Sequence, residues 1–198
     1  AMWNAKPYRP DGIVLGTEIF DEIMKEDVHV TAQYPFKSLN NKTHGLRKGE
    51  LTTITAGTGV GKSSFCRHVA LDLLKQGFGV GYIALEESIK RSALGIMGVH
   101  LKKPLHLTRE GISEKQLQET FKSTVGNGNF YLYNHFGNTI ADSLLNKIRY
   151  LAKSCEVDFV VLDHLHMALS ALGDSHTNDE RKLIDYFVSK LRTLVEET

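Results

Sequence analysis

Cysteine is scarce in this chain, with two in 198 residues, and both Cys66 and Cys155 fall inside helical patterns. A disulfide framework is excluded; two reduced core thiols remain. An excess of one charge is lacking too. Lysine and arginine number 24 against 23 acidic residues, which argues against a broad basic surface but not against a basic lining in a cleft. No apolar run approaches the ~18 residues of a membrane span, and the N-terminus shows no signal-peptide pattern. The nine histidines have no metal-ligand spacing beside acids or cysteines, so zinc is not expected. Internal repeats and low-complexity tracts are missing. What is left is a chain of one-domain length, 41% hydrophobic, with enough apolar residues for a core.

Against these absences stands Ala56-Gly57-Thr58-Gly59-Val60-Gly61-Lys62-Ser63. The short β-branched run Leu51 to Thr55 precedes it, and Phe65, Cys66, Val69, Ala70, Leu73 and Leu74 follow at helical spacing. A strand, a glycine-rich turn and a helix opening in Lys-Ser are the context of a phosphate-binding P-loop. Glycines let backbone N–H groups turn toward a phosphate chain, and the helix N-terminus adds partial positive charge. Residues Gly57, Thr58, Gly59, Val60, Gly61, Lys62, Ser63 and Ser64 are the candidate nucleotide-binding set. Lys62 would reach the β- and γ-phosphates, and Ser63 would place a hydroxyl on Mg2+. Ala56 replaces the usual first glycine, which a small residue with negative φ permits.

The rest of the chain alternates strand and helix, which predicts an α/β fold with a parallel sheet flanked by helices. Residues 1–34 read as an N-terminal arm with a linker helix, and residues 35–198 as the core. The linker helix is capped by Thr17 and carries Ile19, Phe20, Ile23 and Met24 on one face. So short a helix must pack on the domain or on another copy. Expected strands cover Val80 to Leu85, Phe130 to Tyr133 and Val157 to Leu162, the last buried on both faces. Expected helices cover the P-loop helix to Gln76-Gly77, about 89–100, 114–125 (opened by a Ser113-x-x-Gln116 box) and 138–154. A last one follows a Thr177-x-x-Glu180 box.

Two acids complete the candidate site. Asp163 closes the apolar run Phe159 to Leu162, the Walker B arrangement, from which a carboxylate can hold Mg2+ through water; the alternative is a capping or turn aspartate. Glu86 ends the second strand in Leu85-Glu86-Glu87-Ser88, where it could orient or deprotonate an attacking water; the alternative is an exposed acid opening the next helix. Glu87 and Ser88 read as an exposed acid and the opening of the next helix.

Taken together, AGTGVGKSS, a strand ending LEES, VVLDH and Asp179-Glu180-Arg181-Lys182-x-Ile184-Asp185 resemble the ATPase domain of RecA-fold ring helicases of the DnaB type. The resemblance is strongest to the primase–helicases of T-odd phages and mitochondrial Twinkle, and runs from about Pro10 to the last residue. It implies a RecA-like P-loop NTPase that hydrolyses ATP (or dTTP) with Mg2+, with Glu86 and Lys62 catalytic and Ser63 and Asp163 at the metal. It implies single-stranded DNA as partner and a homo-oligomeric ring, of hexamer type, docked through the linker helix. Primase and DNA polymerase are further implied partners, no membrane is involved, and the location is the cytoplasm, that of the host if the gene is viral. Residues 168–178 stand where such helicases touch DNA, although a solvated connector fits them equally. His164 and His166 could sense the γ-phosphate or cap the strand, and Lys102 and Lys103 read as surface charge.

In that family a further strand, with a phosphate-sensing residue, DNA-binding loops and an arginine finger, follows the last helix. That strand lies beside the P-loop strand, so a gap in the sheet is expected here. Two other readings stand beside the helicase: a RecA- or KaiC-like ATPase that does not unwind DNA, and a nucleotide-binding docking fragment without turnover.

Overall fold

A computed structural model describes residues 14–25, 31–134, 141–165 and 180–198. The chain opens with a 3-10 turn, Gly16–Glu18, and one turn of helix α1, Phe20–Ile23. A small antiparallel pair, β1 (Thr31–Ala32) and β2 (Leu46–Arg47), brackets α2 (Lys37–Thr43). Then follow α3 (Lys62–Lys75), β3 (Val80–Ala84), α4 (Ile89–Leu101), α5 (Glu114–Ser123), β4 (Phe130–Leu132), α6 (Ala141–Lys153), β5 (Phe159–Asp163) and α7 (Glu180–Glu197).

The main sheet is parallel, in the order β4-β3-β5. Its central strand is all apolar apart from Gly81 and the Tyr82 hydroxyl, and every residue of it is buried. Period-two alternation divides these side chains between two cores. Val80, Tyr82 and Ala84 pack with Val69, Leu73, Ile96 and Met97 of α3 and α4. Ile83 and Leu85 pack with Leu144, Leu145 and Ile148 of α6 and Phe187, Leu191 and Leu194 of α7. Gly81 lets α6 approach closely, since a Cβ there would lie 2.9 Å from Leu151 Cδ1.

Most expected elements form within a few residues of their predicted ends. Ser113 caps α5 by accepting from Gln116 N at 3.2 Å, and α3 stops just before Gln76-Gly77. Ile140, Thr177 and the segment 168–178 lie outside the described residues. Three expectations are corrected. Leu51 to Thr55 is not a strand: these residues are exposed and have no ladder partner among the described residues. The strand buried on both faces is β3, whereas Phe159 to Leu162 are only half-buried. Thr17 does not cap a helix but sits inside the 3-10 turn, which has no side-chain cap.

The first two corrections share one cause. The edge of β5 away from β3 opens onto a cleft of about 540 Å3, bounded on its far side by Leu51 to Ile54 and lined also by Leu191, Leu194 and Val195 of α7. With no strand of the described residues in that cleft, the run before the glycine turn has no hydrogen-bond ladder to join. No helix of the described residues is long and apolar enough to cross a membrane.

Candidate nucleotide-binding site

The loop between Ala56 and Lys62 turns because two of its glycines take backbone angles that side chains resist. Gly59 has φ 80° and Gly61 φ 105°, the left-handed region that glycine occupies without cost. Gly61 is also the N-cap of α3, so the first free N–H groups of a 14-residue helix face the loop. Lys62 curls back over it, and its Nζ donates to Ala56 O at 2.9 Å and Gly57 O at 3.0 Å. Residues 57–61 and Ser64 are exposed or nearly so, with Ser63 partly covered.

Asp163 is the last residue of β5, paired in register with Ala84 at the end of β3. Its carbonyl accepts from Leu85 N at 2.9 Å, which joins the two strand ends. Its side chain is buried, at 8% exposure, and its carboxylate receives no hydrogen bond from any described residue. Asp163 lines an open cleft, so its oxygens stay within reach of a ligand there, and the position suits a cation. Among the described residues no group of three or more His, Cys, Asp or Glu could hold a metal. That donor set does not suit a cation that needs a protein cage. It suits Mg2+, which uses one or two protein oxygens together with phosphate oxygens and water. Lys62, Cys66, Asp163 and His164 line the same cleft. Burial, then the charge of Asp163, push the Cys66 thiol up to about 11.

Glu86 lies just beyond β3 and is not among the cleft's lining residues; its side chain is 57% exposed, with Oε1 at 3.1 Å from His164 Nε2. His164 therefore bridges the ends of β3 and β5. His166 lies outside the described residues, and Lys102 and Lys103 are exposed at the end of α4. Ser88 does open α4, accepting from Arg91 N at 3.3 Å. Glu87 is not the exposed acid expected from the sequence. Arg67 Nη2 donates to both its oxygens, at 2.5 and 2.7 Å. Burial lowers the pKa of Arg67, but the hydrogen bond and charge of Glu87 outweigh it and leave the group above its ordinary value. Arg67 was missed in the sequence, yet a signal existed: a cation among Phe65, Cys66, Val69 and Ala70 needs an anion from elsewhere.

Comparison with known proteins fits this geometry. The DnaB-like helicase C-terminal domain description matches residues 32–198. The chain is 35% identical over 206 aligned positions to the DNA helicase/primase of Enterobacteria phage T3, covering all of this chain and 36% of that protein. It is 27% identical over 151 positions to a probable plasmid replicative DNA helicase of Chlamydia trachomatis, covering 73% of this chain and 33% of that protein. The chain thus spans about a third of the length of these relatives. Two solved structures share the fold over 91% of this chain. One is an ATPase domain, with a TM-score of 0.64 at 19% identity and 65% of it covered. The other is a DnaB-like replicative helicase, described with its interactions with primase, with a TM-score of 0.70 at 18% identity and 44% covered.

Proposed function

The chain belongs to the DnaB-like helicase C-terminal domain family, and on that premise we propose that it hydrolyses ATP or dTTP to move along single-stranded DNA. Lys62 carries this reading. Its ammonium already rests on the carbonyls of Ala56 and Gly57, the place where β- and γ-phosphate oxygens would exchange for them in stronger, charge-assisted bonds. The N–H groups of residues 57–63 would line the phosphate chain. Ser63 and Asp163 would hold Mg2+, which supplies positive charge to the phosphates when bound. Glu86 would orient the attacking water, with His164 fixing its carboxylate.

A ring of copies follows from the same reading. Val14, Leu15, Phe20, Ile23 and Met24 are all more than half exposed and would seat on a neighbouring copy. A primase is a fitting neighbour, since the DnaB-like helicase of known structure was described with one; a polymerase rests on the family resemblance alone. The test is the steady-state NTPase rate of the chain with and without single-stranded DNA, beside Lys62→Ala. DNA-stimulated turnover, lost in the variant, is the expected result. Nucleotide binding without turnover would identify a docking piece, and no binding at all would overturn the reading.

A further inference from the structure

Resting on that reading of Glu86, we infer that Arg67 and Glu87 are positioning residues. Their part-buried ion pair ties the helix that carries Lys62 and Ser63 to the turn that carries Glu86.

The pair is placed for this. Arg67 follows Ser63 by four residues in α3, so the two share a helix face. Its side chain is almost wholly buried, and both oxygens of Glu87 lie on its Nη2. Glu87 also accepts from Ser92 Oγ at 3.3 Å and lies 3.5 Å from Arg91 Nε. The turn is therefore held on both sides of Glu86. Leu85 is bonded to Asp163 O before it, Glu87 to Arg67 after it, and Ser88 caps α4 beyond. Glu86 itself stays 57% exposed, with His164 Nε2 at 3.1 Å.

Helix α4 is shaped around the guanidinium. A Cβ on Gly95 would lie 2.5 Å from Arg67 Nε and 2.7 Å from its Cζ. Packing this tight is not explained by stability. The buried Nε of Arg67 has no hydrogen-bond partner among the described residues, a net cost, and replacing a buried ion pair with apolar residues often stabilises a protein. A rigid link between phosphate helix and catalytic turn does explain it, because an ångström of misplacement at a reacting centre costs orders of magnitude in rate.

The test uses Arg67→Lys, which keeps the charge, and Gly95→Ala, which displaces the guanidinium without touching either charge. Amide exchange at Glu86 and Glu87 is expected to quicken in both variants, with that of α5 and α7 unchanged. Single-turnover hydrolysis is expected to fall roughly tenfold or more, while nucleotide affinity stays within about twofold of the parent. In a Glu86→Gln background Arg67→Lys should cause no further loss, since a positioning residue acts through Glu86. Unchanged exchange at the turn, a full additive loss in that background, or equal losses of affinity and rate would each overturn the inference. If Glu86→Gln itself leaves turnover intact, the reading of Glu86 fails instead.

Discussion

At the scale of single residues, Cys66 reports on the interior of the site. Its thiol is pushed up to about 11 from an ordinary 9.0, by burial first and by the charge of Asp163 second. A raised folded-state pKa means that the unfolded chain loses its proton first. The stability contributed by the neutral thiol is therefore complete below about pH 9 and is lost as pH rises toward 11. Urea unfolding between pH 8 and 11 should show this loss, and Cys66→Ala should remove that component of the slope. Asp163→Asn takes away the second cause, so the thiol should then alkylate faster at fixed pH. An unchanged rate would mean that Asp163 does not face Cys66. Aromatic packing nearby is of a more ordinary kind: Phe36 stacks on Phe65 at 5.4 Å between ring centroids, joining the segment before α2 to α3.

At the scale of elements, α7 is held by Phe187, wholly buried in one cluster with Ile83 of β3, Leu85 just beyond it and Leu144 of α6. Phe187→Ala should cost about 3–5 kcal/mol, read as a lower urea midpoint. This helix was legible in the sequence because Leu183, Phe187 and Leu191 recur at helical spacing, and periodicity survives whatever lies beyond the helix. The glycine turn ahead of α3 was legible for a similar reason, since the requirements of such a turn are local. The strand before it was not. Leu51 to Thr55 has strand composition, but a strand exists only with a partner, and the neighbouring edge of β5 is across an open cleft. Arg67–Glu87 was illegible because it joins residues 20 apart, which no local pattern connects.

The cleft makes its own prediction. In a parallel ladder alternate residues turn their N–H groups to opposite sides. Phe159 N bonds to Gly79 O, so Phe159, Val161 and Asp163 donate toward β3, while Val160 and Leu162 face the cleft. Amide exchange in this chain should be slow at the first three and fast at the other two. Uniform protection along β5 would mean that the cleft is closed in solution.

At the scale of the whole molecule, the exposed apolar stretch bears on the proposed assembly of copies. Phe20, Ile23 and Met24 are each more than 60% exposed, and Val14 and Leu15 more than half, so α1 does not bury its face on its own core. One helical turn cannot hold itself together in water; its stability must come from what it packs on. A second copy of the chain is the partner that the family membership supports, and the acidic residues Glu18 and Asp21 beside the stretch would set the rim of the contact. Phe20→Glu combined with Ile23→Glu should therefore lower the sedimentation coefficient toward that of a 22.2 kDa monomer. The urea midpoint and nucleotide affinity should hold, because both side chains are more than 60% exposed. Turnover should fall with assembly if each site is completed by its neighbour. A variant that stays assembled would show that copies meet through another surface, and one that loses nucleotide affinity as well would show that the stretch folds back onto the site.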